Sequence, residues 1–304
     1  MTSRSLLRRP MSAAAGLAID QLFGEPPSSL HPVVHFGHAM NKYEARNYRD
    51  AVGPGVTHAM VGLGLGVVAG RALRSTTLGT GLSVGGRALW TAAHDVESAL
   101  TAGDLEEARR RLPTLVGRDS SELDESEIAR GVVESVAENT VDAIVAPALW
   151  AAMAGAPGAL GYRAINTLDA MVGHHSARYE NYGAASARLD DVANWVPARV
   201  TAALVAVVRA GSAREIRRAI VTQAPLHPSP NAGVAEAAFA VALGVQLGGR
   251  NRYGDRIEER ATLGFGRPAR SSDIKESIRL SRDVTYLLAS LLGVASLAMW
   301  WRQR

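Results

Sequence analysis

Three carboxylates, Glu134, Glu138 and Asp142, recur at i, i+4 and i+8, which lays them along one face of a helix. Like charges one turn apart repel by a few tenths of a kcal/mol per pair, so the arrangement asks for a partner. Mg2+ is one candidate, because it takes one or two carboxylates and completes its shell with phosphate oxygens and water. A solvated face paired with Arg130 is the alternative, and spacing alone leaves both open. Asp190, Asp191 and Asn194 form a second oxygen-rich set, with Asp190 and Asn194 one helical turn apart. Arg188 and Arg199 flank it, and a guanidinium fork suits bidentate capture of carboxylate or phosphate. An Asp–Arg network that only holds helix ends is the bland reading. Ionised groups packed beside apolar segments cost several kcal/mol apiece unless each finds a partner, ion or ligand, so the density of such groups over 134–199 favours an enzyme.

Other motifs carry less. His31, His35 and His38 imitate a metal helix, but Pro32 stands at its start and no acidic ligand lies in register, which favours capping and packing. His174-His175 is ambiguous. Gly64-Leu-Gly66-Val-Val-Ala69 matches a dinucleotide fingerprint on paper, without a preceding strand or an acidic residue about 20 positions on. Gly62, Gly66 and Gly70 also recur every fourth residue, the small-residue pattern of closely packed membrane helices, and that reading is preferred. No Gly-Lys-Ser/Thr sequence occurs, so a nucleotide site here is not a P-loop. The chain has no cysteine, which excludes disulfides, thiolate metal sites and cysteine nucleophiles.

The elements that must position these groups read as helical throughout, rich in Ala, Leu, Val and Arg, with no alternating β pattern. Charges crowd into 97–142, 163–191 and 250–283, leaving uncharged windows elsewhere although mean hydropathy is near zero. Window 284–301 ends in Trp300-Trp301 and is followed by Arg302 and Arg304, a transmembrane pattern; 53–70 and 143–162 are further candidates, and 11–19, 195–208 and 232–249 weaker ones. Buried helices of a soluble protein, such as a helical metal-dependent hydrolase, are the competing interpretation. Arg4, Arg8 and Arg9 at one end and Arg302 and Arg304 at the other place both ends in the cytoplasm, with an even number of crossings. Window 11–19 runs straight into Asp20 with no small-residue cleavage site, so it reads as retained. Residues 101–111 and 120–138 read as amphipathic helices. The expectation is an all-α, polytopic integral membrane protein, several transmembrane helices with amphipathic helices in the connecting segments, as a single helical membrane domain over 1–304. A net charge of +4 with no basic stripe speaks against nucleic acid.

Taken in order, several stretches closely resemble the CobD/CbiB family, the adenosylcobinamide-phosphate synthases of cobalamin biosynthesis. They are Asp20 with Gly24-Glu25-Pro26, His31-Pro32-Val33, Arg118-Asp119, Glu134-Ser-Val-Ala-Glu138-Asn139-Thr-Val-Asp142, Asn166-Thr-Leu-Asp169, Arg178-Tyr179, Ala187-Arg188-Leu-Asp190-Asp191 with Asn194 and Pro197-Ala-Arg199, and Ser229-Pro230-Asn231-Ala-Gly233 with Glu236. The resemblance implies a multi-pass protein of the bacterial inner membrane. It further implies ATP-dependent amide formation between (R)-1-amino-2-propanol phosphate, or the free aminopropanol, and a propionate carboxylate of adenosylcobyric acid. Such chemistry calls for Mg2+ on phosphates, arginine against developing charge and a carboxylate to take the amine's proton. On that basis Glu134, Glu138, Asp190 and Asp191 are the expected catalytic residues, and Glu134, Glu138 and Asp142 the expected metal ligands. Substrate contacts are expected from Asp20, His31, Arg118, Asn139, Asn166, Asp169, Arg178, Tyr179, Arg188, Asn194, Arg199, Asn231 and Glu236. Membrane lipids and other enzymes of the pathway are the expected partners. The chain departs from the family pattern at Glu25, where an Asp is usual, and at His174-His175, where Tyr-Lys is usual, so no lysine is assigned to phosphate there. A membrane carrier or assembly scaffold that holds the corrinoid while a partner performs ligation is the alternative function.

Overall fold

The computed structural model describes residues 3–27, 29–174, 176–253 and 256–302. His175 and Arg304 fall outside them. In chain order the elements are α1 (Ser3–Phe23), α2 (Pro32–Asn47), α3 (Val52–Leu73), α4 (Thr76–Gly81), α5 (Gly86–Thr101), α6 (Leu105–Arg111) and α7 (Glu125–Thr140). A π-helical turn at Val141–Val145 precedes α8 (Ala146–Ala154) and α9 (Ala156–Leu168), and a second at Asp169–Gly173 follows. Then come α10 (Ala184–Val208), α11 (Ala213–Thr222), α12 (Ala232–Leu243), strands β1 (Val245–Tyr253), β2 (Arg256–Leu263) and β3 (Arg267–Pro268), and α13 (Ser271–Trp301).

The helical expectation holds for most of the chain and fails at the sheet. The order is β2-β1-β3, with β1 and β2 antiparallel and β1 and β3 parallel. Arginine, glutamate and glycine dominate β1 and β2, so no run of alternating apolar residues marks them. Contacts gather into two compact units where the sequence suggested one domain. Unit 1 is 1–85, 142–194 and 288–304; unit 2 is 86–141 and 195–287.

Among the described residues α3, α10 and α13 are long and apolar enough to cross a membrane. At 1.5 Å per residue, the 22 residues of α3 span about 33 Å, enough for a hydrocarbon core of about 30 Å. Exposed Val56, Met60, Leu65 and Val68 on α3, and Leu291, Val294 and Leu297 on α13, suit lipid contact better than water. Two candidate windows fail. Gly155 at φ +73° breaks 143–162 into α8 and α9, and 232–249 ends as a helix at Leu243, about 18 Å long, before the chain turns into β1.

In unit 1, α3 packs along α9 through its glycine row. A Cβ at Gly66 would come within 2.6 Å of the Leu160 carbonyl oxygen, whereas one at Gly64 would meet nothing within 4 Å. The every-fourth-residue pattern is therefore a packing seam, and the dinucleotide reading falls. Gly66→Leu should cost about 1–3 kcal/mol or more by overpacking, while Gly64→Leu, on the open face, should cost under about 0.5 kcal/mol. Thermal unfolding of the two variants in the same detergent checks this; equal losses would place the seam elsewhere.

In unit 2, α7 is set by a reciprocal cap. Asp124 Oδ1 accepts from Glu127 N (2.8 Å) and Glu127 Oε2 accepts from Asp124 N (2.9 Å). Ile128, Val132, Val133 and Val136 then bury this helix in the core, which fixes the backbone that carries the buried Glu134. Thr140 and Trp90 both donate to the buried Ser281 hydroxyl of α13 (2.7 and 2.9 Å), satisfying the polar atoms of that core.

Candidate functional site

Unit 2 contains a polar cavity of about 220 Å3, lined by Arg118, Glu134, Ser135, Glu138, His227, Ser229, Glu236 and Arg260 among others. Arg118 and Glu134 are 6% and 4% exposed and form an ion pair. The second Glu134 oxygen, Oε1, accepts from Gly248 N (2.7 Å), and Arg118 Nη1 donates to Asn251 Oδ1 (2.5 Å). That backbone donor is delivered by an irregularity between Leu247 and Gly249, where Gly248 and Gly249 adopt φ of +84° and +81°. Such a bulge takes an N–H out of the strand ladder, and glycine is the residue that tolerates the left-handed backbone. The unanticipated sheet thus builds one wall of the anticipated site. Glu138 is exposed at the cavity, and Asn139 turns its amide back onto Ser135 O (2.9 Å) and Oγ (3.2 Å).

Glu236, on α12, is 1% exposed. Its Oε2 and the Nε2 of His227 are buried without hydrogen-bond partners, while Glu236 Oε1 lies 3.7 Å from that Nε2. Burial, reinforced by the charges of Glu134 and Glu138, pushes the Glu236 carboxyl well above the usual carboxylate range. Burial also holds the His227 imidazole below its ordinary value. Both shifts favour a neutral pair in a polar cavity, the kind of environment that tunes acid–base groups. Ser229 positions the segment. Its N–H donates to His227 Nδ1 (3.0 Å) and its hydroxyl accepts from Ala232 N (3.1 Å) at the start of α12. Asn231 accepts from Arg199 (2.9 Å), whose guanidinium also donates to Trp195 O and Pro230 O and stacks on Trp195. Arg199 therefore organises this segment.

In unit 1 a second polar cluster brings together four of the expected residues. Asn166 Nδ2 donates to Asp142 Oδ2 (3.2 Å) and Asp190 Oδ1 (3.3 Å), and Asn194 Nδ2 donates to Asp190 Oδ2 (2.9 Å). Tyr162, which the sequence reading passed over, donates to Asn194 Oδ1 (2.8 Å). The one-turn spacing of Asp190 and Asn194 is thus realised on α10, with amides holding Asp190 where arginines were expected. Arg188 is exposed. Asp191 is half-buried beside Asp190.

The remaining expected residues lie in further parts of unit 1. Arg178 and Tyr179 both donate to the buried Glu44 carboxylate (2.9 and 3.0 Å), and Arg178 stacks over Tyr48. Glu44 carried no motif signal. Asp20 is fully buried near the end of α1, and His31 caps α2 by accepting from Val33 N (3.2 Å), in line with the capping reading. Asp169 opens the second π-turn against Gly173, where a Cβ would collide with its carboxylate.

Among the described residues no three His, Asp or Glu side chains gather to hold a metal ion. The helix that carries Glu134 and Glu138 passes at its end into the π-turn Val141–Val145, and the Asp142 carboxylate in that turn accepts from Asn166 Nδ2. Arg130, the partner in the solvated-face reading, donates to Arg250 O (2.9 Å), and Arg118 is the partner of Glu134. The donor set does not fit an all-protein metal cage. It fits a phosphate-borne Mg2+, which needs one or two protein carboxylates.

The family model described as CobD/Cbib protein matches residues 13–281. The chain is 46% identical over 291 residues to the cobalamin biosynthesis protein CobD of Mycobacterium tuberculosis (strain CDC 1551 / Oshkosh), covering 91% of this chain and 92% of that protein. It is 38% identical to the protein of that name from Halalkalibacterium halodurans (89% and 91% covered) and 40% identical to that of Chromobacterium violaceum (92% and 95% covered). No solved structure matches the chain.

Proposed function

The chain belongs to the CobD/CbiB family and has a role in cobalamin biosynthesis, and from that premise we propose that it is a membrane ligase. In this reading it joins (R)-1-amino-2-propanol phosphate, or aminopropanol, to a propionate carboxylate of adenosylcobyric acid at the expense of ATP. The observation that supports the reading most is the buried Glu236 carboxyl, whose Oε2 has no hydrogen-bond partner, in a cavity that also carries Arg118, Arg260 and two further glutamates. A cavity of about 220 Å3 suits a small amino alcohol or its phosphate rather than a macrocycle or a nucleotide.

A carboxylate is a poor acyl donor at neutral pH, so its activation as an acyl phosphate must precede attack by the amine. Glu236 takes the amine's proton as the new C–N bond forms and phosphate leaves. Arg118, fixed by Glu134 and Asn251, and Arg260 set a positive field for the leaving phosphate. Glu134 acts by positioning, since both its oxygens are engaged. Mg2+ held by Glu138 would neutralise phosphate charge. In unit 1 the Asp142, Asn166, Asp190 and Asn194 cluster is proposed to hold polar substituents of the large substrate, with Asp190 anchored by amides and Asp191 more open.

The proposed location is the bacterial inner membrane with both ends cytoplasmic. Three candidate spans are an odd number, so this topology needs one further crossing; α1, 21 residues long, has the length for it but not the apolar composition of the three. In the purified protein, ADP release that needs the corrinoid and the amine together supports the ligase; ADP release indifferent to either rejects it. Glu138→Gln should raise the Mg2+ concentration for half-maximal turnover at least about tenfold in a folded protein, the scale of losing one supporting ligand interaction. An unchanged Mg2+ response would remove Glu138 from the metal.

A further inference from the structure

Unit 1 contains a groove of about 990 Å3 that differs in character from the polar cavity. Leu63 and Val67 of α3 and Trp150 and Ile165 of α8 and α9 give it apolar walls, while Arg9, Arg71 and Arg74 supply its charge; among the described residues no carboxylate lines it. Arg71 stands in the last turn of α3, and Arg74 caps that helix in the left-handed region at φ 55°, the one non-glycine residue with positive φ among those described. A strained arginine backbone persists where its surroundings hold it, and such positions gather at ligand clamps. Arg9 Nη1 donates to Met153 O (2.7 Å), tying α1 to α8 at the groove.

The order of groups along α3 decides what fits. Its exposed apolar residues Val56, Met60, Leu65 and Val68 form the surface of a candidate membrane span, and the arginines stand at the end of the same helix. An apolar trough closing on cations at the end of a span complements a molecule with hydrocarbon tails and an anionic head. We propose that this groove binds an anionic phospholipid, its acyl chains along Leu63, Val67 and Ile165 and its phosphate against Arg71, Arg74 and Arg9. Tyr162, which donates to Asn194, also lines the groove, so the groove adjoins that cluster, but the proposal does not rest on the ligation chemistry.

The test is lipid retention. Full-length protein is extracted from membranes, washed in neutral detergent, exposed to equimolar phosphatidylglycerol and phosphatidylcholine, and weighed intact by native mass spectrometry. Wild type should retain phosphatidylglycerol at least tenfold over phosphatidylcholine. Arg71→Gln/Arg74→Gln should reduce that preference at least fivefold, and Arg71→Lys/Arg74→Lys, which keeps the charge without the planar fork, should fall between. Arg302→Gln, an exposed arginine at the end of α13, should leave the preference unchanged. Equal retention of the two lipids by wild type overturns the proposal whatever the variants do, and so does an equal loss in Arg302→Gln, which would mark diffuse surface charge. Displacement of the retained lipid by millimolar inorganic phosphate or ADP would also overturn it, since the groove would then be a site for soluble anions.

Discussion

Glu236→Gln is expected to lower amide-forming turnover by about 10²-fold or more, the scale of losing a general base. The substitution keeps shape and volume and removes only the capacity to ionise. In the wild type the Glu236 carboxyl is raised, chiefly by burial and then by Glu134 and Glu138, so it is neutral at pH values where an ordinary glutamate, with a pKa near about 4.3, is charged. Only the carboxylate accepts a proton. Turnover should therefore rise with pH along a limb displaced above the ordinary carboxylate range, and this limb should vanish in Glu236→Gln. The amine's own ionisation is common to both proteins and cancels in the comparison. Stability gives an independent readout. A raised folded-state pKa means that the folded protein binds the extra proton, so Glu236 lowers stability as pH climbs from its unfolded pKa towards its folded one. Glu236→Gln should lack that fall and be no less stable than wild type above neutrality. A variant that is inactive because it is unfolded, or one that keeps the limb, would contradict the assignment.

Arg118→Met should destabilise the protein by about 3–5 kcal/mol, because it strands the Glu134 carboxylate in the interior with the Gly248 N–H still bonded to it but no cation beside it. Arg118→Met/Glu134→Leu, which removes both charges, should recover most of that loss. The pair is 5% exposed on each side, so solvent does not screen it. Denaturant unfolding of the two single variants and the double variant closes the cycle. A loss below about 1 kcal/mol in Arg118→Met would mean that the pair is wet and that Glu134 is free for another role.

The parts of this account that were legible in the sequence are those carried by local spacing. Asp190 and Asn194 one turn apart, His31 with Pro32 as a helix start, and the glycine row of α3 all follow from helical periodicity, and each takes the expected geometry. What escaped depends on contacts distant in sequence or on departures from regular structure. The π-turn at Val141–Val145, which carries Asp142, has no residue signature, so periodicity alone reads the stretch as one regular helix. The strand pair hid behind Arg-Asn-Arg and Glu-Glu-Arg sequences that read as solvated charge, yet its Gly248-Gly249 bulge delivers the N–H that holds Glu134. Glu44 and His227 lie in no motif. Each becomes meaningful only beside Arg178 and Tyr179, or beside Glu236. The sign available for His227 was its place two residues before Ser229-Pro230-Asn231, at the turn that starts α12.

The central claim is that this chain itself forms the amide bond. Its most direct measurement is the mass of the corrinoid product after purified protein is incubated with adenosylcobyric acid, Mg-ATP and either (R)-1-amino-2-propanol phosphate or aminopropanol. The account predicts a corrinoid heavier by the amine less one water, formed in proportion to ADP and absent with Glu236→Gln. A corrinoid recovered unchanged with both amines, from a folded protein that nevertheless binds it, would contradict the ligase and leave the chain a carrier.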